Sequence, residues 1–190
     1  MTENEWTKSI AEKLAAEITP LRIETQKKIP YRQEIESFSE NWEPNYRKPD
    51  FFETDLVIYE QRGGIIKPRV IIEAKIDTVT THDAITYSRK AEMHKNVIPF
   101  LRYGIMLGNR RTYPLPGRLY RHGDQFDFMF SFVGTEPEEH EWSAFVETVQ
   151  REVRYSETLE EMFHESRKAG RNNRYYKRFE EPTTSDSLCG

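Results

Sequence analysis

The chain has 190 residues, 36% of them hydrophobic and 32% charged, which suffices for a buried core in one domain of ordinary size. No apolar run approaches the ~20 residues that cross a bilayer, and the single cysteine, Cys189, excludes an internal disulfide or a cysteine-based zinc site. The net charge of −4 conceals a pattern: residues 62–121 carry twelve basic and four acidic side chains, +8, between ends of −5 and −7.

That pattern allows two readings. Either one face suits a polyanion, or the acidic ends balance the basic centre in three dimensions. With no secretory signal pattern and one cysteine, the expected location is the cytoplasm, with no membrane partner.

In chain order, Thr2-Glu3-Asn4-Glu5 is a capping box, and Trp6, Ile10, Leu14 and Ile18 follow at fourfold spacing. A helix ending near Thr19-Pro20 is expected. Residues 22–25 and 28–32 read as short strands, and Asn41 to Pro49, with two prolines, as a loop. Thr54 to Tyr59 is β-branched and aromatic and runs into Gly63-Gly64, a turn signal; Arg69 to Lys75 forms the return strand of a hairpin. Thr80 to Lys95 is a helix capped by Thr80 or Thr81, with Ala84, Tyr87 and Ala91 along one face. Phe100 to Leu107 is a strand. Phe126 to Phe132 is another, its four phenylalanines expected on one face in the core. Thr135 to Glu138 reads as a second capping box before a helix through Val153, and a further helix is expected over Ser156–Ser166.

One domain is thus expected over residues 1–181, the C-terminal helices being an extension, with a disordered Thr/Ser-rich tail at 182–190. The strand–helix–strand step from residue 69 to 107 predicts parallel neighbours, hence a mixed sheet flanked by helices: an α/β three-layer sandwich.

The chemistry concentrates at the end of the second hairpin strand. Alternation puts Glu73 and Lys75 on one side of a strand whose preceding residues, Val70, Ile71 and Ile72, bury it. A carboxylate and an ammonium there are costly to desolvate unless the strand end opens into a cleft or they are paired. Antiparallel pairing brings Asp55, near the start of the other strand, beside them. Two carboxylates suit a hard divalent cation such as Mg²⁺, and a lysine next to it suits orienting water and offsetting charge on a phosphorane.

Asp55 followed by Glu73-Ala74-Lys75 resembles the signature of the PD-(D/E)xK nuclease superfamily, which includes type II restriction endonucleases. The resemblance covers roughly residues 1–132. It implies a restriction-endonuclease-like core of helix, three-stranded meander, helix and strand. It further implies a DNA endonuclease, of a restriction or defence type, that uses Mg²⁺ with Mn²⁺ as a substitute. The ligands would be Asp55, Glu73 and the main-chain carbonyl of Ala74, the catalytic set Asp55, Glu73 and Lys75, and the assembly a homodimer on DNA. A literal Pro-Asp pair stands at Pro49-Asp50, so Asp50 is the alternative to Asp55. The family often adds a first-helix glutamate, for which Glu12 and Glu17 are candidates. A Glu-x-Lys triplet alone is common in a chain this charged; its buried strand carries the weight.

Arg110, Arg111, Arg118 and Arg121, interleaved with Tyr113 and Tyr120, are candidate nucleic-acid contacts, or simply solubilising loop residues. A second basic and aromatic stretch runs from Arg167 to Arg178. The five histidines show no metal-ligand spacing, and neither a phosphate-binding glycine loop nor a serine nucleophile elbow is present. The competing readings are a catalytically silent nuclease-like domain that binds nucleic acid or a protein, and a structural protein with chance ion pairs.

Overall fold

The computed structural model describes residues 1–111 and 115–164. Helix α1 (Glu3–Ala15) begins at the expected capping box. The Thr2 hydroxyl accepts from the Glu5 N–H, and the Glu5 carboxylate accepts from the Thr2 N–H at 2.7 Å. Strands β1 (Arg22–Arg32), β4 (Asp50–Arg62) and β5 (Ile65–Ile76) form an antiparallel meander. The β4–β5 turn is Gly63-Gly64, both at positive φ, which a two-residue hairpin requires. Helix α2 (Thr81–Val97) then crosses to β6 (Arg102–Gly108), parallel to β5. The short α3 (Gly117–His122) leads to β7 (Phe128–Ser131), parallel to β6, and α4 (Glu139–His164) follows. The sheet order is β1-β4-β5-β6-β7.

Both faces of this mixed sheet are covered by helices. On one face Trp6, Ile10 and Leu14 of α1 and Trp142, Phe145 and Val149 of α4 pack over Leu56, Ile58, Val70, Ile72, Ala74 and Met106. On the other, Ala84 and Ala91 of α2 and Leu119 of α3 meet Val57, Ile71, Tyr103, Ile105 and Leu107. The molecule is the expected α/β three-layer sandwich, and its order of helix, meander, helix and strand is the one expected from the sequence. All seven residues of β6 are buried, as a strand covered on both faces demands. Among the described residues no helix is long and apolar enough to cross a membrane.

Several local expectations need correcting. The two short strands between 22 and 32 are one, β1, bent at Gln26, whose φ is +54°. The Asn41–Pro49 stretch, read as a loop, contributes β3 (Pro44–Tyr46) to a small separate hairpin with β2 (Ile35–Phe38), which leaves Phe38, Trp42 and Tyr46 exposed. The α1 helix stops at Ala15, and Ile18 is buried in the turn beyond it. Thr135 is not at the N-cap position of α4, which begins at Glu139; its main-chain carbonyl accepts from the Trp6 indole at 2.9 Å. The Glu141 carboxylate accepts from the N–H groups of Val133 (2.8 Å) and Glu138 (3.0 Å), and α4 starts three residues later than a Thr135 cap would place it. It then runs without a break through the two helices expected there. The phenylalanine stripe divides: Phe128, Phe130 and Phe132 join the α1/α4 side, while Phe126, ahead of β7, packs on the α2 side. Tyr113, the Arg167–Arg178 stretch, the expected tail and Cys189 lie outside the described residues.

Candidate active site

Along β5 the apolar side chains alternate, with Val70, Ile72 and Ala74 toward α1 and α4 and Ile71 toward α2. Glu73 and Lys75 therefore face α2. The antiparallel ladder between β4 and β5 ends at Leu56↔Ile72. One step on, the Ala74 N–H donates to Asp55 Oδ2 at 2.9 Å in place of a further ladder bond. β5 continues to Ile76 beside β6 alone. The strands thus part where Asp55, Glu73 and Lys75 meet, and Asp55 is fixed to the main chain between the other two.

Glu73 has no exposed surface. Its Oε1 accepts from the Tyr103 hydroxyl of β6 and lies 2.8 Å from Lys90 Nζ of α2. Its Oε2 is buried with no hydrogen-bond partner. Burial pushes this carboxyl up to about 7; the nearby Lys90 charge and the Tyr103 hydroxyl hold it down, and the Asp55 charge pushes it further up. Lys75 Nζ is 3.0 Å from Glu3 Oε1 at the start of α1, and the same glutamate accepts from the Ile76 N–H at 3.4 Å. Burial works against the Lys75 ammonium, but the Tyr87 hydroxyl and the Glu3 carboxylate outweigh it and hold its pKa above that of an ordinary lysine. The Tyr87 ring lies between the two lysines, 5.4 Å from Lys75 Nζ and 5.2 Å from Lys90 Nζ. Burial raises its hydroxyl to about 12, against the pull of Lys75, so it is neutral at physiological pH.

Asp50 is placed elsewhere. It opens β4 and is held by Arg32 (2.8 Å) and Arg47 (4.0 Å), away from the Glu73 carboxylate that Asp55 faces. Glu12 is exposed and pairs with Lys8, and Glu17 is exposed beside α4. Glu3 is the first-helix glutamate that reaches the site. Of the four arginines proposed to contact nucleic acid, two, Arg118 and Arg121, lie on α3; Arg110 and Arg118 bind main-chain carbonyls of the segment that follows Lys75, Asp77 and Val79 respectively, the latter at 2.8 Å. Arg111 and Arg121 are exposed.

Sequence reasoning missed Lys90, Tyr103 and Glu3 as site residues, and placed Tyr87 without a role there. The spacing of Tyr87 and Lys90 puts them on one helix face, but nothing in the sequence says that this face meets Glu73.

The donor set fits a hard cation. A buried carboxylate oxygen without a partner is costly, and Glu73 Oε2 is one, in a carboxylate that feels the Asp55 charge. Among the described residues no group of three or more His, Cys, Asp or Glu converges. A cation held here has two carboxylates and the Ala74 carbonyl as candidate protein ligands and takes the rest of its shell from water or substrate, which is the habit of Mg²⁺.

No protein-family model matches the chain, and no curated protein sequence does. Among solved structures it is similar to the pre-specific restriction endonuclease BsaWI in complex with DNA. That similarity has a TM-score of 0.42 and 14% sequence identity, and it covers 90% of this chain and 67% of the other.

Proposed function

We propose that this chain is a Mg²⁺-dependent DNA endonuclease that hydrolyses phosphodiester bonds, with Mn²⁺ able to replace Mg²⁺. The observation that carries the reading is the parting of β4 and β5, where the Asp55 carboxylate is bound to the Ala74 N–H beside the unpartnered Oε2 of Glu73. Asp55, Glu73 and the Ala74 carbonyl would hold the cation, which when bound polarises a phosphoryl oxygen and makes water more acidic. Lys75, always charged at working pH, donates to the attacking water and offsets the charge that builds on the phosphorane. Glu3 holds the lysine on station from α1, and Tyr87 adds an aromatic wall. Arg111 and Arg121 remain candidates for backbone contacts. Cutting both strands takes two such sites, and the proposal extends to a homodimer on DNA.

The test is cleavage of plasmid DNA by the purified chain with Mg²⁺, with EDTA, and with single variants. Lys75→Ala, Asp55→Ala and Glu73→Gln should each lose activity by at least about 100-fold, the scale of an essential electrostatic group, while Asp50→Ala keeps it. Equal cleavage by wild type and Lys75→Ala, or none on several DNA substrates, overturns the mechanism. A second reading draws on the exposed Phe38, Trp42 and Tyr46 of the β2–β3 hairpin: a catalytically silent nuclease-like domain that docks a partner. The absence of Mg²⁺-dependent cleavage would favour it.

A further inference from the structure

Lys90 stands one helical turn after Tyr87 on α2, and the bottom of the site is built around its ammonium. Nζ lies 2.8 Å from Glu73 Oε1, with the Lys90 side chain 17% exposed and the carboxylate fully enclosed. Among the described residues the ammonium also meets the neutral Glu53 carbonyl at 3.3 Å and the rings of Tyr87 and Phe52 at 5.2 and 5.8 Å, and its charge reaches the buried His94. Glu73 is thus half satisfied. Oε1 carries Lys90 and the Tyr103 hydroxyl, and Oε2 carries nothing.

The two lysines of the site differ in what each would lose. Lys75 has its own carboxylate, Glu3, which lies outside the Asp55–Glu73 pair. The carboxylate Lys90 uses is Glu73, the group that a divalent cation would also use. Two positive charges drawn to one enclosed carboxylate repel each other, and surroundings that exclude water screen that repulsion poorly. A lysine can yield: its charge is a compact point on a flexible stem, and this stem is not sealed in.

Resting on the reading that Asp55 and Glu73 bind a divalent cation, we propose that Lys90 is a resident counter-ion of Glu73 which the incoming cation must displace. The ammonium holds the buried carboxylate in place beforehand, and the cost of moving it sets the affinity of the site. Lys90 is a positioning residue here, with no part in bond making.

The experiment measures Mn²⁺ binding to the full chain at pH 8 by the loss of the free-ion electron paramagnetic resonance signal. Lys90→Met should bind Mn²⁺ on the order of tenfold tighter than wild type, because the like charge is gone, and Lys90→Arg, which keeps the charge, should stay within about twofold. Equal or weaker binding by Lys90→Met overturns the proposal. A second measurement needs no variant. Limited acetylation with acetic anhydride, read by peptide mass spectrometry, should label Lys90 more heavily once Mn²⁺ saturates the wild-type chain; unchanged labelling overturns displacement. Glu73→Gln separates the cation site from the counter-ion. Binding lost in Glu73→Gln but unaltered in Lys90→Met keeps the cation site and removes the counter-ion. Wild-type binding that is absent, or that survives Glu73→Gln, removes both.

Discussion

Glu73 is a carboxylate with no exposed surface, and its environment gives it a folded pKa of about 7 against an ordinary 4.5. Between these values the native chain keeps a proton that the unfolded chain has released. The Glu73 contribution to stability is therefore full below pH 4.5 and is lost as pH rises through 7, at most about 3 kcal/mol for a shift of this size. The opposite trend comes from His94, whose burial lowers it to about 4 and which must charge on unfolding in acid. Glu73→Gln removes the first effect and keeps the second. In EDTA, the stability of wild type minus that of Glu73→Gln, from urea unfolding, should fall from pH 4.5 to 7 and level off above; a flat or rising difference would show that the carboxyl is ionised throughout. The triplet Glu73-Ala74-Lys75 was legible because alternation on a buried β-branched run dictates which side chains share a side. The choice between Asp50 and Asp55 was not, because both stand near the start of the same strand. Arg32 and Arg47 claim Asp50, and the Ala74 N–H claims Asp55.

Secondary elements govern how firmly those residues are held. Trp6, one turn after Glu3, is fully buried, bonded to the Thr135 carbonyl and set edge-on to Phe132 at 6.1 Å between ring centres. It lies over the end of β6, where a Cβ on Gly108 would meet its ring at 2.6 Å. Gly108→Ala should therefore push α1 outward and cost about 1–3 kcal/mol, the usual scale for overpacking. In a Trp6→Leu background, which opens the space, the same change should cost less. Urea unfolding of the four proteins measures the coupling, and a cost under about 0.5 kcal/mol for Gly108→Ala alone would refute this packing account. The helices α1 and α2 and the hairpin were readable because each carries its own signals: a capping box, a 3.6-residue period, a Gly-Gly turn. The α3 helix was not, since six residues without a side-chain cap leave almost no periodic trace. The start of α4 was misplaced for a related reason: a Thr-x-x-Glu pattern looks alike whether its own pair closes the helix end or a later glutamate, here Glu141, takes the free N–H groups.

Across the whole molecule the central +8 segment turns out to be largely neutralised from outside. Lys75 pairs with Glu3, Arg69 with Glu60 and Glu160, Lys67 with Glu160, and Arg102 with Glu152 and Asp127. These acidic partners come from the two negative ends, so balance in three dimensions accounts for most of the pattern. A polyanion would meet fewer free cations than the count suggests. The proposed homodimer would meet this shortfall by presenting two such faces to one duplex. Sedimentation equilibrium should give a dimer, with or without a short DNA duplex; a monomer in both cases would remove the dimer. The sequence by itself determined the mixed sheet, the burial of β5 and the shared side of Glu73 and Lys75, because those follow from periodicities of two and 3.6 that act within a few residues. The tertiary structure decided which aspartate joins them, that Glu3 rather than Glu12 or Glu17 approaches from α1, and that Lys90 and Tyr103 close the site. Those contacts bring together groups as much as 73 residues apart. Their energies depend on desolvation and on the shape of the enclosure, and neither exists until the layers have packed.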